Sequence, residues 1–563
     1  MVTESDSYLG NLLVQEDVVT EEQLYEALRV QQDRDDEEFL GSILVELQYC
    51  TEVEISQTLS EQSEAQWISL DNYSVDPVAM AILSPENAKK YEALPIEFKD
   101  DDTLIVAMKQ PSDIVALDDL QVLTGFDIEP VVAADSEIDM YIERYAHHNM
   151  DVQQTDEDQE LEVVESIEDE EEEIDRPAVQ LANMIITQAV SSRATDVHFE
   201  VYENSMRIRF RIDGVLHDIM HPPRRMHAAL VSRIKVMANM DIAERRVPQD
   251  GRMTLEVKNR KIDVRVASLP TTFGERITLR LLDRSAEMFS LEDLGVTEEM
   301  LQVYREALSL PYGFILVTGP TGSGKSTTLY ASLQTLDREE KNIITLEDPV
   351  ERQIEEISQV QINPKAGLTF ATGLRSILRC DPDVIMMGEI RDEETARIAV
   401  ESALTGHLVF ATLHTNDAAG AVSRLTEMDI EPYLTASSVA CVVAQRLARL
   451  LCSRCKEAYR MPREHVEEIE GFSLVSGEDY LDLYRAKPGG CAHCHNTGYS
   501  GRIGLFEVLP MSEALQQMTL DKASTAEIRE QAISEGVRTL RQDGLEKVRQ
   551  GITSLEEVMR VVR

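Results

Sequence analysis

The run Gly319-Pro320-Thr321-Gly322-Ser323-Gly324-Lys325-Ser326 constrains this chain more than any other stretch of it. It has the spacing GxxxxGK[ST]. It follows an apolar segment, Phe314 to Thr318, that reads as a buried strand, and it precedes a helical segment, Thr327 to Leu336. Strand, glycine-rich loop and helix in that order make a phosphate cradle. Glycines let the backbone close around an anion, and loop amides with the helix N-terminus supply partial positive charge. Lys325 is then expected to reach β- and γ-phosphates and the Ser326 hydroxyl to bind Mg²⁺, with Gly319 to Thr327 as the cofactor-binding stretch. Phe314 to Thr318 reads as the start of an α/β core that runs to about Leu450, and in open α/β sheets ligands bind beyond the carboxyl ends of the strands.

Three further segments fit that frame. Val384-Ile385-Met386-Met387-Gly388-Glu389 is an apolar strand ending in an acid, the form that places a carboxylate beside the magnesium and its waters. Ile343 to Glu351 is another, ending in Glu347-Asp348-Pro349-Val350-Glu351. A carboxylate there can orient or deprotonate an attacking water, although a helix cap or a solvated turn would also put acids at a strand end. His407 and His414 flank a strand over Leu408 to Leu413. They are either sensors of the γ-phosphate or satisfied structural histidines.

Seven cysteines are present, and four form two CxxC pairs, Cys452/Cys455 and Cys491/Cys494. Four thiolates suit a tetrahedral structural Zn²⁺ with no position left open for catalysis, His493 and His495 being alternative ligands.

At 563 residues, three or four domains are expected. The net charge of −49 counts against a nucleic-acid motor, which needs a basic surface. The acidic start, Met1 to Gly10, has no apolar signal core, and no run approaches the length of a spanning helix. The expected location is therefore cytoplasmic, with membrane contact only through partners. Near the N-terminus Leu9-Gly10-Asn11-Leu12-Leu13-Val14 is matched by Leu40-Gly41-Ser42-Ile43-Leu44-Val45, and Thr20-Glu21 by Thr51-Glu52. Each unit predicts a short helix, a turn and a longer helix begun by a threonine cap. Residues 148–176 hold a dense acidic run and predict a flexible linker. Met206 to Ile212 alternates apolar residues with Arg207, Arg209 and Arg211, as a half-exposed strand does, and Asp213-Gly214 predicts a hairpin turn.

In this order the motifs resemble the type II/type IV secretion ATPase family, in its pilus-assembly and type II secretion branch. Ile343 to Glu351 resembles its Asp box, Met387 to Asp392 its Walker B and Thr405 to Asn416 its His box. Thr195 to Glu200, Ala243 to Arg252 and Gly274-Glu275-Arg276 resemble the domain before the ATPase core. The resemblance implies a RecA-like P-loop ATPase core (291–450) preceded by a PAS-like α/β domain (177–290). Before that come the linker (148–176) and an N-terminal regulatory domain (1–147), helical over 5–64 and α/β over 65–147. A tetracysteine zinc subdomain (451–510) and a C-terminal helical region (511–563) follow the core.

The resemblance also implies a homo-hexamer that hydrolyses ATP with Mg²⁺ and acts on an inner-membrane platform protein, without nucleic acid. Glu347 would activate water, Glu389 assist at magnesium, His407 and His414 lie near the nucleotide, and Arg276 and Arg280 reach phosphates. The tetracysteine pattern and long N-terminal region favour fibre assembly or secretion over retraction. The repeats resemble a domain that binds cyclic di-GMP in some pilus ATPases. Tyr8 and Phe39 stand where that pattern has arginine, and Asp17 and Gln48 where it has glycine. The lost guanidinium groups count against that ligand and favour a docking module for membrane-embedded partners.

Overall fold

The computed structural model describes residues 4–33, 39–63, 65–148, 153–154, 176–257, 260–283, 289–472 and 479–562. The chain divides into two units, Met1–Ser285 and Ala286–Arg563.

In the first unit the repeat forms four helices, Glu4–Gln15, Glu21–Asp33, Leu40–Glu46 and Glu52–Ser63. Thr20 and Gln23 exchange side chain and amide, as do Thr51 and Glu54, so both longer helices begin with a capping box. Leu13, Leu40, Ile43 and Leu44 are fully buried between them. Both glycines of the repeat sit against the opposing helix: a Cβ on Gly10 would lie 2.7 Å from Leu24 Cδ1, and one on Gly41 3.0 Å from Ile55 Cγ2.

Asp17 and Gln48 occupy the same place in the two turns, and both have φ of 59°. That left-handed backbone is why glycine suits the position. The strain there is roughly 1–2 kcal/mol per side chain, against about 0.5–1 kcal/mol of extra entropy that glycine loses. Asp17→Gly and Gln48→Gly should therefore each stabilise the helical repeats by about 0.5–1 kcal/mol, read as a higher midpoint in thermal or urea unfolding.

A three-stranded sheet follows, Ala93–Phe98, Thr103–Met108 and Asp127–Val132, with helix Ile114–Thr124 as the crossover. The rest of the unit is a seven-stranded antiparallel sheet. From one edge its order is Gln153–Gln154, Gln249–Val257, Arg260–Thr271, Gly274–Asp283, Ala194–Val201, Met206–Ile212 and Val215–Met220. Asp213 and Gly214 both have positive φ, 49° and 82°, as a two-residue turn between the last two strands requires.

One apolar cluster runs from Leu70 to Leu279 through both sheets' helices, and Arg225 stacks 3.4 Å over the Phe126 ring. The parts expected as separate domains across a linker are thus packed together. They present complementary apolar faces that helix periodicity alone does not pair. The linker expected over 148–176 lies, except for residues 148, 153–154 and 176, outside the described residues.

The second unit is built on another seven-stranded sheet. Its order is Ser358–Gln361, Ile343–Glu347, Val384–Met387, Leu408–Leu413, Gly313–Thr318, Val439–Leu451 and Tyr499–Pro510. The first six are parallel and the last is antiparallel. Helices cover both faces, so the four central strands are apolar and buried along their length. Ahead of the P-loop strand lies helix Glu298–Leu308, whose Leu301 and Tyr304 are buried. Strand Tyr499–Pro510, inside the stretch 451–510 expected as the zinc subdomain, is the edge of the core sheet, with Val442 opposite Leu509 and Leu447 opposite Gly504. Among the described residues no helix is long and apolar enough to cross a membrane.

Candidate functional site

Four parallel strands end at one edge of the core sheet and bring their loops together there. The loop after Gly313–Thr318 needs its glycines. Gly319, Gly322 and Gly324 have φ of 149°, 76° and 90°. A Cβ on Gly319 would lie 2.5 Å from the Gln445 carbonyl oxygen, and one on Gly324 2.8 Å from Gln445 Nε2. Pro320, Thr321, Gly322, Ser326 and Thr327 are exposed along the cradle, whereas Ser323 is buried beneath it.

Lys325 opens helix Lys325–Gln334 and is only 9% exposed. Its Nζ donates to the carbonyls of Gly319 at 2.8 Å and Pro320 at 3.1 Å, so the ammonium rests on its own loop. Burial pushes this amine down to about 8, Glu389 opposing the shift and Arg446 adding to it.

Glu347 ends its strand 4% exposed, with both carboxylate oxygens engaged. Thr345 Oγ1 donates to Oε1 at 2.7 Å and Gln359 Nε2 at 3.0 Å, while the Tyr330 hydroxyl donates to Oε2. Glu389 follows the neighbouring strand. It pairs with Arg391, its Oε2 is 3.3 Å from His414 Nε2, and Arg391 also reaches Asp348 at 3.5 Å. Burial raises the Glu389 carboxyl, but Arg391 and His414 outweigh it and hold the group below the usual carboxylate range. Thr318 and Thr415 hydroxyls lie 2.5 Å apart, tying the P-loop strand to the His-box loop.

His407 does not join this site. It precedes strand Leu408–Leu413, which runs parallel to Gly313–Thr318 with Leu408 beside Gly313 and Leu413 beside Thr318. Six residues at about 3.3 Å each put it roughly 20 Å from the phosphate edge. There its Nδ1 lies 2.9 Å from the Ser402 carbonyl oxygen. Both histidines are expected near the nucleotide, but within one chain the structure brings only His414 to the P-loop edge and leaves His407 at the opposite end of the strand.

Several partners escaped the sequence reading. Tyr330, Gln359 and Arg446 come from other elements, and only packing brings them near. Thr328 Oγ1 donates to Gln445 Oε1 at 2.7 Å, and Arg446 Nη2 to Asn416 Oδ1 at 3.0 Å, so strand Val439–Leu451 braces the cradle. Arg391 carried a signal, since it stands two residues beyond Glu389 in the same motif.

The four paired cysteines converge, with all four Sγ atoms within 4.8 Å of one another. Cys452–Cys491, Cys455–Cys494 and Cys491–Cys494 are each 3.8 Å apart. Sulfurs at the corners of a tetrahedron with Zn–S of about 2.3 Å lie about 3.8 Å apart, so the cage fits that ion.

Arg276 and Arg280 lie on the polar face of the first unit's large sheet. Arg276 pairs with Glu200 at 2.8 Å, and Arg280 with Asp196 at 3.1 Å. Arg207 and Arg209 also hold Glu200, and Arg211 lies 3.6 Å from Asp196. Burial raises the Glu200 carboxyl, but the guanidinium groups bring it down to about 2.

A P-loop at the edge of an open parallel sheet, with two strand-end carboxylates beside it, defines a P-loop ATPase. Residues 171–560 match the Type II/IV secretion system protein family, and residues 63–151 match the MshEN domain. The type IV pilus assembly ATPase PilB of Myxococcus xanthus is 43% identical over 561 residues, 98% of each chain. The type II secretion system ATPase E of Vibrio cholerae is 51% identical over 397 residues, 70% of this chain and 77% of its own. The X-ray structure of the ATPase DotB of Yersinia pseudotuberculosis gives a TM-score of 0.50 at 19% identity, covering 68% of this chain and 92% of its own; that likeness concerns the fold alone. The chain belongs to the type II/IV secretion system protein family.

Proposed function

We propose that this chain is the motor ATPase of a type IV pilus assembly machine. It works as a homo-hexamer at the cytoplasmic face and acts on an inner-membrane platform protein that feeds pilin subunits into the fibre. The observation that carries this reading is likeness to a pilus assembly ATPase from end to end, 98% of both chains, on top of an intact nucleotide cradle. The higher identity to a secretion ATPase over 397 residues favours a second reading, a type II secretion motor that drives a pseudopilus. Deleting the gene in its own host separates the two, since loss of surface pili supports the first and loss of exported enzymes the second.

In the catalytic cycle, ATP settles on the loop Gly319 to Thr327, and Lys325 turns from its two carbonyls to the β- and γ-phosphates. Ser326 and Glu389 would hold Mg²⁺, which neutralises charge on the phosphates. Glu347 prepares the attacking water. His414 holds Glu389 in place, and Arg276 and Arg280 are proposed as cations that meet developing phosphate charge. The guanidinium groups of Arg207, Arg209, Arg276 and Arg280 gather around only Glu200 and Asp196, and that cluster supports the role. Cys452, Cys455, Cys491 and Cys494 are the proposed ligands of a structural zinc. The helical repeats are proposed as a docking module.

Glu347→Gln keeps size and loses the base, so it should lower ATP turnover about a hundredfold while leaving ATP binding within a few-fold of wild type. Near-normal phosphate release by this variant would remove Glu347 from the reaction.

A further inference from the structure

The carboxylate assigned to the attacking water is closed to water in this structure. Glu347 is 4% exposed, and its oxygens accept from Thr345, Gln359 and Tyr330. A general base needs a lone pair facing the proton it takes, and here donors of the protein itself occupy both oxygens. We propose that Tyr330 is a latch on Glu347: its hydroxyl holds the carboxylate in a non-reacting arrangement until nucleotide displaces the P-loop helix. This rests on the reading of Glu347 as the water-activating group.

The three donors differ in what they are attached to. Thr345 stands two residues earlier on the strand of Glu347 itself, so it moves with the carboxylate. Gln359 is on the adjacent paired strand and is pinned there, its Nε2 donating to the Arg352 carbonyl at 2.8 Å and its Oε1 accepting from the Ile354 amide at 2.7 Å. Tyr330 arrives from a different element, helix Lys325–Gln334, five residues beyond the lysine that meets phosphate. A shift of that helix changes one bond of the three. It leaves the strand, its register and the other two donors as they are.

The tyrosine is suited to the task. The residue is 5% exposed, so no bulk water competes for the carboxylate. Burial, with the adjoining Glu347 charge, raises the phenol well above its ordinary range, so it stays a donor across physiological pH. The Tyr330 oxygen also accepts from the Glu351 amide at 3.2 Å, which links the latch to the end of the Asp box. Release of Tyr330 therefore has two local consequences, an open position on Glu347 Oε2 and a changed environment at the Glu351 amide. It ties readiness for hydrolysis to occupancy of the loop that binds the phosphates.

The test uses the full-length protein and phosphate release without partner proteins. Tyr330→Phe keeps the ring and removes the donor. Turnover at saturating ATP should rise about threefold or more, with KM changed by less than about twofold, because the bond lost restrains the base and not the bound nucleotide. In a Glu347→Gln background the same substitution should have no effect. Unchanged or lower turnover in a Tyr330→Phe protein that binds ATP like wild type overturns the latch. Near-normal turnover by Glu347→Gln alone overturns the underlying assignment instead, whatever Tyr330→Phe does. Amide hydrogen exchange on the unaltered protein gives a readout that needs no variant. With Mg²⁺ and a non-hydrolysable ATP analogue, the Glu351 amide should lose protection about tenfold. Retained protection in the nucleotide-bound protein counts against release.

Discussion

Lys325→Ala should lower kcat/KM for ATP about a thousandfold. One unit charge about 4 Å from a phosphate charge is worth about 4 kcal/mol at the effective dielectric of a protein surface, and each 1.36 kcal/mol is tenfold in rate. The structure places this lysine where its charge is costly when no anion is near, almost buried at the start of a helix, and the carbonyls of Gly319 and Pro320 offset only part of that cost. Burial brings its proton off at about 8, far below an ordinary lysine.

The sign of the pH effect follows. Polyphosphate stabilises the charged amine, so nucleotide raises its pKa, and above pH 8 binding must take up a proton. The Kd for ATP in wild type should then rise with pH above 8, by up to about tenfold per unit, and Lys325→Ala should lack this limb. Titration with a fluorescent ATP analogue between pH 7 and 9.5 reads both effects. A flat wild-type profile, or an alanine variant that hydrolyses normally, would remove the lysine from the site.

The same lysine shows what a sequence can disclose about such a site. A loop fixed by glycine φ angles and a flanking strand and helix is a local arrangement, and Gly319 to Ser326 spells it out in eight consecutive residues. The strand-end acids Glu347 and Glu389 are legible for a similar reason, since a short apolar run bounded by an acid marks both the strand and its end. The repeat at Leu9 and Leu40 likewise predicts four helices, and Asp17 and Gln48, standing where glycine is expected, take the left-handed backbone that glycine favours.

What failed was anything set by direction or long-range pairing. His407 and His414 look equivalent beside one strand, but a parallel strand has one end at the phosphates and the other at the opposite edge. Tyr330 and Gln359 reach Glu347 only because one helix and one neighbouring strand pack at a particular register. Strand Tyr499–Pro510 was hidden because the cysteine-bearing segment separates it from the sheet it completes. Alternation marked Arg207, Arg209 and Arg211 as one face, but did not name Glu200 and Asp196 as the acids they would hold.

That hidden strand decides what removing the proposed zinc should do. Cys452 follows strand Val439–Leu451 directly, and the Cys452 amide donates to the Gly498 carbonyl at 3.0 Å, next to the start of Tyr499–Pro510. The cage therefore closes the end of an antiparallel pair within the core sheet. The segment it pins has little core of its own: Val466, Phe472, Leu481 and Leu483 bury themselves against Leu545, Val548 and Val558 of the C-terminal helices. A structural zinc contributes on the order of 10–16 kcal/mol to folding in small metal-bound domains. Without it, four sulfurs packed about 4 Å apart must be reprotonated or part.

Chelation, or Cys494→Ser, should release about one zinc per chain and lower the melting temperature by about 10 °C or more. Hydrogen-exchange protection should be lost first over 452–462 and 480–498. The far end of the pair, where Val442 faces Leu509, is held by the central sheet, so Gln445 and the cradle above it should persist. The Kd for ATP should then stay within about threefold of the zinc-loaded protein while stability collapses. Equal melting curves with and without metal would show that the sulfur cage is held by packing alone, and simultaneous loss of ATP binding would show that the strand pair transmits the damage to the P-loop.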